Sequence, residues 1–310
     1  MLRALVTGED PPGWADVAAR DAGIEFVRAG DGQGRDDAVG YVMNSFGRQE
    51  PEPVTADVLA RMPELRVVVY LGQSQESQDY ASFVDLDAIR SAGVALATTP
   101  AGDAVAEAAI GMMIAADLNL VAAATLPSSV INRRGLSGAT VGIVGLGQIG
   151  RRVAEIGVSM GMTIRYASRR EHTEVERRLH AQRRELDDLC EESDFISVHT
   201  SNSAPPELIG SALEHARGAV LINSASAPRL VDPAALLSTL KSGNLRCAVV
   251  EGRYGEPWQE RLIGLGSERF VSLPAYSSWD TPAAREAGWN QAIAALSAAS
   301  NNLAIPNRLV

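Results

Sequence analysis

The sequence feature that most limits the fold is a glycine-rich turn, Gly145-Leu146-Gly147-Gln148-Ile149-Gly150, which fits the pattern G-x-G-x-x-G. The apolar run TVGIV precedes it and the helical run RRVAEIGVSMGM follows, which is the strand–turn–helix context of a dinucleotide site. Gly145 permits a tight turn, Gly147 lets the backbone approach a pyrophosphate, and Gly150 lets the helix pack on the strand. A plain strand–helix turn is the alternative. The context favours a dinucleotide site that includes Gln148 and Ile149.

Short strands and helices alternate along most of the chain, which predicts an α/β fold with parallel sheets covered by helices. The alternation of strands and helices begins again near residue 138, so we expect two doubly wound, Rossmann-like domains. TADVLARM is predicted to be a helix capped by Thr55, and the last helix begins with a capping Thr and Pro282. The long apolar tract from 103 to 124 is predicted to be one helix between the domains. Glu107, Asp117 and Asn119 interrupt it and argue against a membrane span.

Composition excludes several function classes. The formal net charge of -10 argues against nucleic acid or an anionic membrane as partner, and favours a small-molecule substrate. Cys190 and Cys247 lie far apart without a CxxC or histidine companion, which predicts a reducing compartment and no metal site. The amino-terminal residues do not resemble a signal peptide, so a cytoplasmic location is expected.

The second strand after the glycine turn, TIRYASRR, indicates which dinucleotide is bound. An NAD site needs an acidic residue near this strand end to accept from the ribose 2′-hydroxyl. This chain has Ser168, Arg169 and Arg170 there, a hydroxyl and two guanidiniums that suit a 2′-phosphate. A basic surface turn is the alternative. We therefore expect NADP, with NADPH preferred over NADH.

From about residue 50 onward the chain resembles the D-isomer-specific 2-hydroxyacid dehydrogenase superfamily. The matching segments are, in order, VDLDAIRSAGVALATTPAGDAVAEAAIGMM, LSGATVGIVGLGQIGRRVA, ELDDLCEESDFISVHT, LINSASAPRLVDPAALLSTLKSGNL and VVEGRYGEP. The resemblance implies a split, flavodoxin-like substrate domain formed by residues 1–98 plus 278–310. It implies a nucleotide-binding Rossmann domain over residues 99–277, including the helix 103–124, and an active-site cleft between the two domains.

The family's catalytic residues are an Arg that holds a 2-keto carboxylate, a His that protonates the carbonyl oxygen and a Glu that tunes the His. Ser226 stands where the resemblance places the Arg, and Arg229 follows three positions later. Glu256 matches the Glu. Ala275 occupies the position of the His, followed by Tyr276, whose pKa near 10 makes it a slower acid. Ordinary D-2-hydroxyacid dehydrogenase activity is therefore not expected.

The resemblance also assigns the rest of the cleft. His199 and Thr200 end a strand that lines the cofactor in the family, although a structural role is the favoured interpretation of His199 alone. Other cofactor positions are Ser224, Ala225 and Glu251, the last in place of an Asp that holds the nicotinamide carboxamide. The substrate loop LGQSQESQ, with Gly72, Gln73 and Ser74, departs from the family pattern. The short connection ATLPSSVINRRGLSG stands where the family carries a dimer-forming arm, so a homodimer, if formed, is expected to have a shortened arm.

Two functions follow from these positions. The first is an NADP(H)-dependent oxidoreductase that acts on a neutral carbonyl or imine, with Glu256, Tyr276, Ser226 and Arg229 in the catalytic pocket. The second is a non-catalytic NADP(H)-binding sensor or scaffold. A non-redox isomerisation or elimination with Glu256 as base ranks below both.

Overall fold

The computed structural model describes residues 1–28, 35–46, 49–71, 83–99, 102–125, 133–200, 204–225, 227–275, 278 and 280–310. It divides into two compact units. The first unit comprises Met1–Ala101 and Trp279–Val310, and the second comprises Gly102–Ser278. Both are built on parallel sheets with helices, which confirms the predicted α/β class.

The first unit contains a five-stranded parallel sheet in the order β2-β1-β3-β4-β5. Its elements in chain order are β1 (Leu2–Gly8), α1 (Gly13–Asp21), β2 (Ile24–Arg28), β3 (Ala38–Asn44), α2 (Ala56–Ala60), β4 (Val67–Leu71), α3 (Leu86–Ala92) and β5 (Ala95–Thr99). The Thr55 hydroxyl accepts from the Val58 N–H and caps α2, as predicted.

The second unit contains a seven-stranded parallel sheet in the order β12-β11-β10-β9-β6-β7-β8. Its elements are α4 (Gly102–Asp117), α5 (Leu120–Thr125), β6 (Thr140–Val144), α6 (Gln148–Ser159), β7 (Thr163–Ala167), α7 (Thr173–Leu179), β8 (Gln182–Arg183), α8 (Leu186–Glu192), β9 (Phe195–Val198), β10 (Ala219–Asn223), α9 (Pro233–Ser242), β11 (Leu245–Glu251), α10 (Trp258–Ile263) and β12 (Phe270–Leu273). Two 3₁₀ turns, Ser211–His215 and Pro228–Leu230, flank β10.

The chain then returns to the first unit in α11 (Pro282–Ser300), which packs on its sheet and on α1. The indole of Trp289 is 1% exposed and meets the ring of Phe26 edge-on at 5.3 Å between centroids. Leu296 lies so close to Gly40 that a Cβ there would sit 2.1 Å from its side chain. A single helix from the far end of the sequence therefore completes this core.

The tract 103–124 was predicted to form one continuous helix. That prediction is wrong, because the tract forms two helices, α4 and α5. Asn119 lies in the left-handed region at φ 50°, between the end of α4 and the start of α5. Asparagine tolerates this conformation better than most residues, which allows the chain to turn there. Among the described residues, no helix is both long and apolar enough to cross a bilayer. Residues 126–132 of the shortened connection lie outside the described residues.

Candidate functional site

The glycine turn is closed by backbone contacts that only glycine permits. Gly145 follows β6 with φ +96°, and its N–H donates to the Ala167 carbonyl at 2.9 Å. A Cβ on Gly145 would lie 2.8 Å from the His199 carbonyl oxygen, and one on Gly150 would lie 2.1 Å from the Gly145 carbonyl oxygen. The ends of β6 and β9 and the first turn of α6 are therefore pressed together without side chains between them.

This arrangement fits the pyrophosphate of a dinucleotide. Gly147 occupies the N-cap of α6, a helix of 12 residues, and no capping side chain occupies this helix N-terminus in the described part of the chain. A helix N-terminus of this kind favours an anionic group. The Thr200 hydroxyl, next to the turn, is buried and finds no hydrogen-bond partner among the described residues. A buried hydroxyl left unpaired costs about 1–3 kcal/mol, which an acceptor on a bound ligand would recover. Gln148 lies against Gly102, and Ile149 packs on the core.

His199 joins the ends of two neighbouring strands. Its Nε2 lies 2.8 Å from the Ser197 hydroxyl on β9, and its Nδ1 lies 3.4 Å from the Ser224 hydroxyl after β10. Burial lowers the pKa of this imidazole to about 3. The ring is therefore neutral near pH 7, with one nitrogen donating and the other accepting.

The predicted 2′-phosphate position lies at the end of β7. Ser168 is partly buried, and its hydroxyl accepts from the Arg170 N–H at 3.4 Å. Arg169 and Arg170 are exposed, and neither guanidinium has an ion-pair partner in the described part of the chain. Glu171, the nearest acid in sequence, lies 3.8 Å from Arg183. Two exposed arginines without an ion-pair partner among the described residues thus follow the hydroxyl directly in the sequence.

Asn223, which the sequence analysis did not single out, holds the loop after β10. The side chain is fully buried, donates to the Ala227 carbonyl at 3.2 Å and accepts from the Ala225 N–H at 3.1 Å. A buried polar residue at the end of an apolar run was the available signal, because such a residue must find partners in the next turn. Ala225 is thereby fixed through its backbone.

Glu251 is fully buried at the end of β11. Its carboxylate accepts from the backbone N–H of Ser278 at 2.6 Å and from the hydroxyl of Ser278 at 2.8 Å. Ser278 was also missed, because its role depends on how the chain returns after β12. The predicted contact of Glu251 with a nicotinamide carboxamide stays a prediction.

The two charged candidates for catalysis make hydrogen bonds to backbone groups. Glu256 is exposed, accepts from the Glu260 N–H at 3.2 Å in the first turn of α10, and lies 4.0 Å from Arg253. Arg229 is exposed and donates to the Ala204 carbonyl at 2.9 Å. These contacts account for both side chains, and their catalytic roles stay predictions.

Several predicted site residues cannot be placed. The substrate-loop residues and two pocket residues lie outside the described residues: Gly72, Gln73, Ser74, Ser226 and Tyr276. Ala275, at the position that the resemblance gives to the catalytic His, is exposed after β12. The described part of the chain contains no cluster of three or more side chains suited to hold a metal ion.

Known proteins are similar to this chain in sequence or in fold. A glyoxylate reductase of Aeropyrum pernix is 30% identical over 222 residues, which are 66% of this chain and 64% of that protein. The chain spans less than two thirds of the length of the first curated relatives it matches. A crystal structure of a protein from Thermus thermophilus is similar at a TM-score of 0.77 and 26% identity, with 100% of both chains covered. An acyclic imino acid reductase in complex with NADPH and D-Arg shares the fold at a TM-score of 0.73 and 20% identity, again over 100% of both chains.

The match to a family model is consistent with the sheet order. Residues 116–274 match the model described as D-isomer specific 2-hydroxyacid dehydrogenase, NAD binding domain. The matched stretch contains the glycine turn and every strand from β6 to β12. Because it covers about half of the chain, this protein belongs to the D-isomer-specific 2-hydroxyacid dehydrogenase superfamily.

Proposed function

We propose that the protein is an NADP(H)-dependent oxidoreductase whose substrate is a neutral carbonyl compound or an imine rather than a simple 2-keto acid. The observation that carries the cofactor preference is the pair of exposed arginines, Arg169 and Arg170, which follow Ser168 directly and whose guanidiniums have no ion-pair partner among the described residues. A carboxylate at this strand end would repel a 2′-phosphate, whereas two guanidiniums attract one. The chain has a net charge of -10, so this basic strand end stands out against an acidic background.

The residues of the second unit would hold the dinucleotide at three places. The Gly145–Gly150 turn and the start of α6 would bind the pyrophosphate, and Thr200 would supply a hydroxyl beside the turn. Ser168 with the two arginines would hold the 2′-phosphate. When bound, the cofactor supplies the hydride. His199 stays neutral between two serines and contributes position rather than charge.

The substrate part of the proposal depends on Ala275 and Arg229. A methyl group at position 275 cannot protonate a developing alkoxide. A general acid typically increases the rate of such a step by about 10²- to 10⁴-fold. The Arg229 guanidinium is engaged with a backbone carbonyl rather than presented as a fork for a carboxylate. A protonated imine already carries its own charge, so hydride transfer to it needs no strong acid. The fold shared with an NADPH-bound acyclic imino acid reductase supports this choice.

A non-catalytic NADP(H) sensor or scaffold is the second candidate. The hydrogen bonds of Glu256 and Arg229 to backbone groups favour it, because both charged side chains have partners within the protein. We propose a cytoplasmic location under either function. It is supported by Cys190 and Cys247, which are buried free thiols.

Nucleotide titration tests the cofactor. We expect NADPH to bind more tightly than NADH by about tenfold or more, as hydrogen bonds to charged groups imply. The double variant R169Q/R170Q should remove this difference. Arg177→Gln, at an exposed arginine of α7, serves as the control that removes one positive charge away from Ser168 in the sequence. Tighter binding of NADH by the wild type would contradict the cofactor preference.

Substrate screening tests the reaction. NADPH oxidation is followed with keto acids, keto amides and cyclic imines in parallel. Turnover of imines or keto amides without turnover of pyruvate, glyoxylate or hydroxypyruvate is the expected result. Rapid oxidation with those keto acids would overturn the proposed substrate. Tight NADPH binding without turnover of any compound would favour the sensor.

A further inference from the structure

A second histidine lies beside the proposed 2′-phosphate position. The Nε2 of His172 is 3.3 Å from the Ser168 hydroxyl, and both residues are partly buried in the turn between β7 and α7. We refer to Tyr166, Ser168, His172 and Glu176 as the His172 cluster. The sequence patterns predict no role for Tyr166, His172 or Glu176.

The core of the protein fixes the orientation of this imidazole. Tyr166 is fully buried on β7, and its ring meets the His172 ring at 68° and 5.8 Å between centroids. The Tyr166 hydroxyl accepts from the His172 backbone N–H at 3.2 Å and donates to Glu176 at 2.5 Å. Burial and the bond to Glu176 raise the pKa of this phenol, so it stays a donor to the carboxylate. His172 is therefore held by a protonated tyrosine rather than by solvent.

The hydrogen-bond capacity of Ser168 then decides what the site can bind. A serine hydroxyl has one proton to donate and two lone pairs to accept with. The Arg170 N–H occupies one lone pair. If Nε2 of His172 carries its proton, the imidazole occupies the other, and the hydroxyl proton is left for an outside acceptor. With the opposite tautomer the imidazole would take that proton and leave the site without this donor.

The charges around the cluster favour an anion as that acceptor. Arg169 and Arg170 follow Ser168 directly and have no ion-pair partner in the described ranges. The carboxylate of Glu171 is near Arg183, and that of Glu176 accepts from Tyr166, so both acids already have partners. Arg183 also donates to the Ser168 carbonyl at 3.1 Å, which fixes the backbone of the turn.

We propose that His172 is a positioning residue for NADP(H) selectivity, which donates from Nε2 to Ser168 and so directs the Ser168 proton to the 2′-phosphate. This inference rests on the proposed function, since it deepens the preference for NADP(H). It assigns His172 an effect on ligands that carry a 2′-phosphate and none on ligands that lack it.

The test compares two small ligands that differ only in that group. Calorimetric titration with adenosine 2′,5′-bisphosphate and with 5′-AMP gives the selectivity of the purified full chain. His172→Phe keeps the ring contact with Tyr166 and removes the nitrogen. It should weaken the binding of the bisphosphate about tenfold, while the affinity for AMP stays within about twofold of the wild-type value. His172→Gln, whose amide can again donate near Ser168, should restore most of the loss.

A matched control and a double-variant cycle separate positioning from structure. His180→Asn changes the other histidine of the same helix, at its left-handed C-cap, and should leave both affinities unchanged. In the Ser168→Ala background, His172→Phe should cause no further loss, because the imidazole acts through that hydroxyl. Equal weakening of both ligands, or full additivity with Ser168→Ala, would overturn the inference. A wild type that binds both ligands equally would instead overturn the cofactor preference itself, and this inference with it.

Discussion

The buried carboxylate of Glu251 accepts both the backbone N–H and the hydroxyl of Ser278, at 2.6 and 2.8 Å. The two residues belong to the end of β11 and to the segment that follows β12. Because both carboxylate oxygens are used, the contact fixes where this segment leaves the second unit. Ala275, the position where the superfamily is expected to carry its general acid, lies three residues before that anchor.

Ser278→Ala should destabilise the protein by about 1–3 kcal/mol, because it removes one donor from a buried carboxylate. Ser272→Ala provides the control, since the Ser272 hydroxyl donates at 2.7 Å to an uncharged carbonyl, that of Gly252, and its loss should cost about 0.5–1.5 kcal/mol. Urea denaturation of both variants measures the difference. Equal costs would mean that Glu251 does not depend on the hydroxyl.

Gly145→Ala should abolish dinucleotide binding and lower the free energy of unfolding by about 2 kcal/mol or more. The added methyl would lie 2.8 Å from the His199 carbonyl on a backbone at φ +96°. The control is Gly111→Ala within α4, where nothing lies within 4 Å of the new Cβ. That change should stabilise the helix by up to about 1 kcal/mol. Intact NADPH binding by Gly145→Ala would contradict the role of the turn.

His199 should make the free energy of unfolding depend on pH. Its pKa is lowered to about 3 in the folded protein from 6.5, so between these values the unfolded chain binds a proton that the folded chain does not. Stability from this residue is therefore complete above pH 6.5 and falls as the pH drops towards 3, by at most about 1.4 kcal/mol per pH unit.

Unfolding of wild type and His199→Gln at several pH values measures this contribution. The variant should lose less stability than the wild type between pH 6.5 and pH 4. His215→Gln, at an exposed histidine 3.8 Å from Asp187, should follow the wild type. Parallel curves for wild type and His199→Gln would show that the imidazole is not held neutral.

The carboxylate of Asp117, at the end of α4, accepts hydrogen bonds from the segment before β6 and from Arg246 on β11. Burial opposes its charged form, but the Arg134 N–H, the Arg246 guanidinium and the Gly135 N–H outweigh it and lower its pKa below 3.8. Its stabilising contribution is therefore present above pH 3.8 and is lost as the pH falls through the lower folded value. Asp117→Asn should cost about 3 kcal/mol near neutral pH, and the gap to wild type should close in acid. A constant gap would contradict the pKa shift.

The sequence predicted the fold where local patterns and tertiary packing agree. The glycine turn, the cap at Thr55 and the start of α11 at Pro282 depend on short-range chemistry, and the structure confirms them. β3 was not predicted from the sequence, although it lies at the centre of the first sheet. Gly40 weakens its strand pattern, and the reason for a glycine there, the close approach of Leu296, is invisible in sequence.

The candidate site was likewise predictable where its residues belong to a local sequence pattern. The residues that lie within a few positions of the glycine turn or of the β7 end were found from local pattern. Ser278 was not, because its partner Glu251 is 27 positions away in the sequence and is brought to it by the fold. Asn223 and His172 were missed although their partners, the Ala227 carbonyl and Tyr166, are close in sequence, because the backbone turns that join them are not visible in the sequence pattern.

The division of the first unit between the two ends of the chain has a consequence for synthesis on the ribosome. The second unit is continuous from Gly102 to Ser278, so all its strands are available before α11 has been made. The first sheet must wait for Trp289 and Leu296 to cover it. Its apolar face is then exposed for the time needed to translate about 180 residues, roughly 10–40 s at typical bacterial to eukaryotic rates. During that interval the nascent amino-terminal segment, Met1–Ala101, is the part of the molecule most in need of a chaperone.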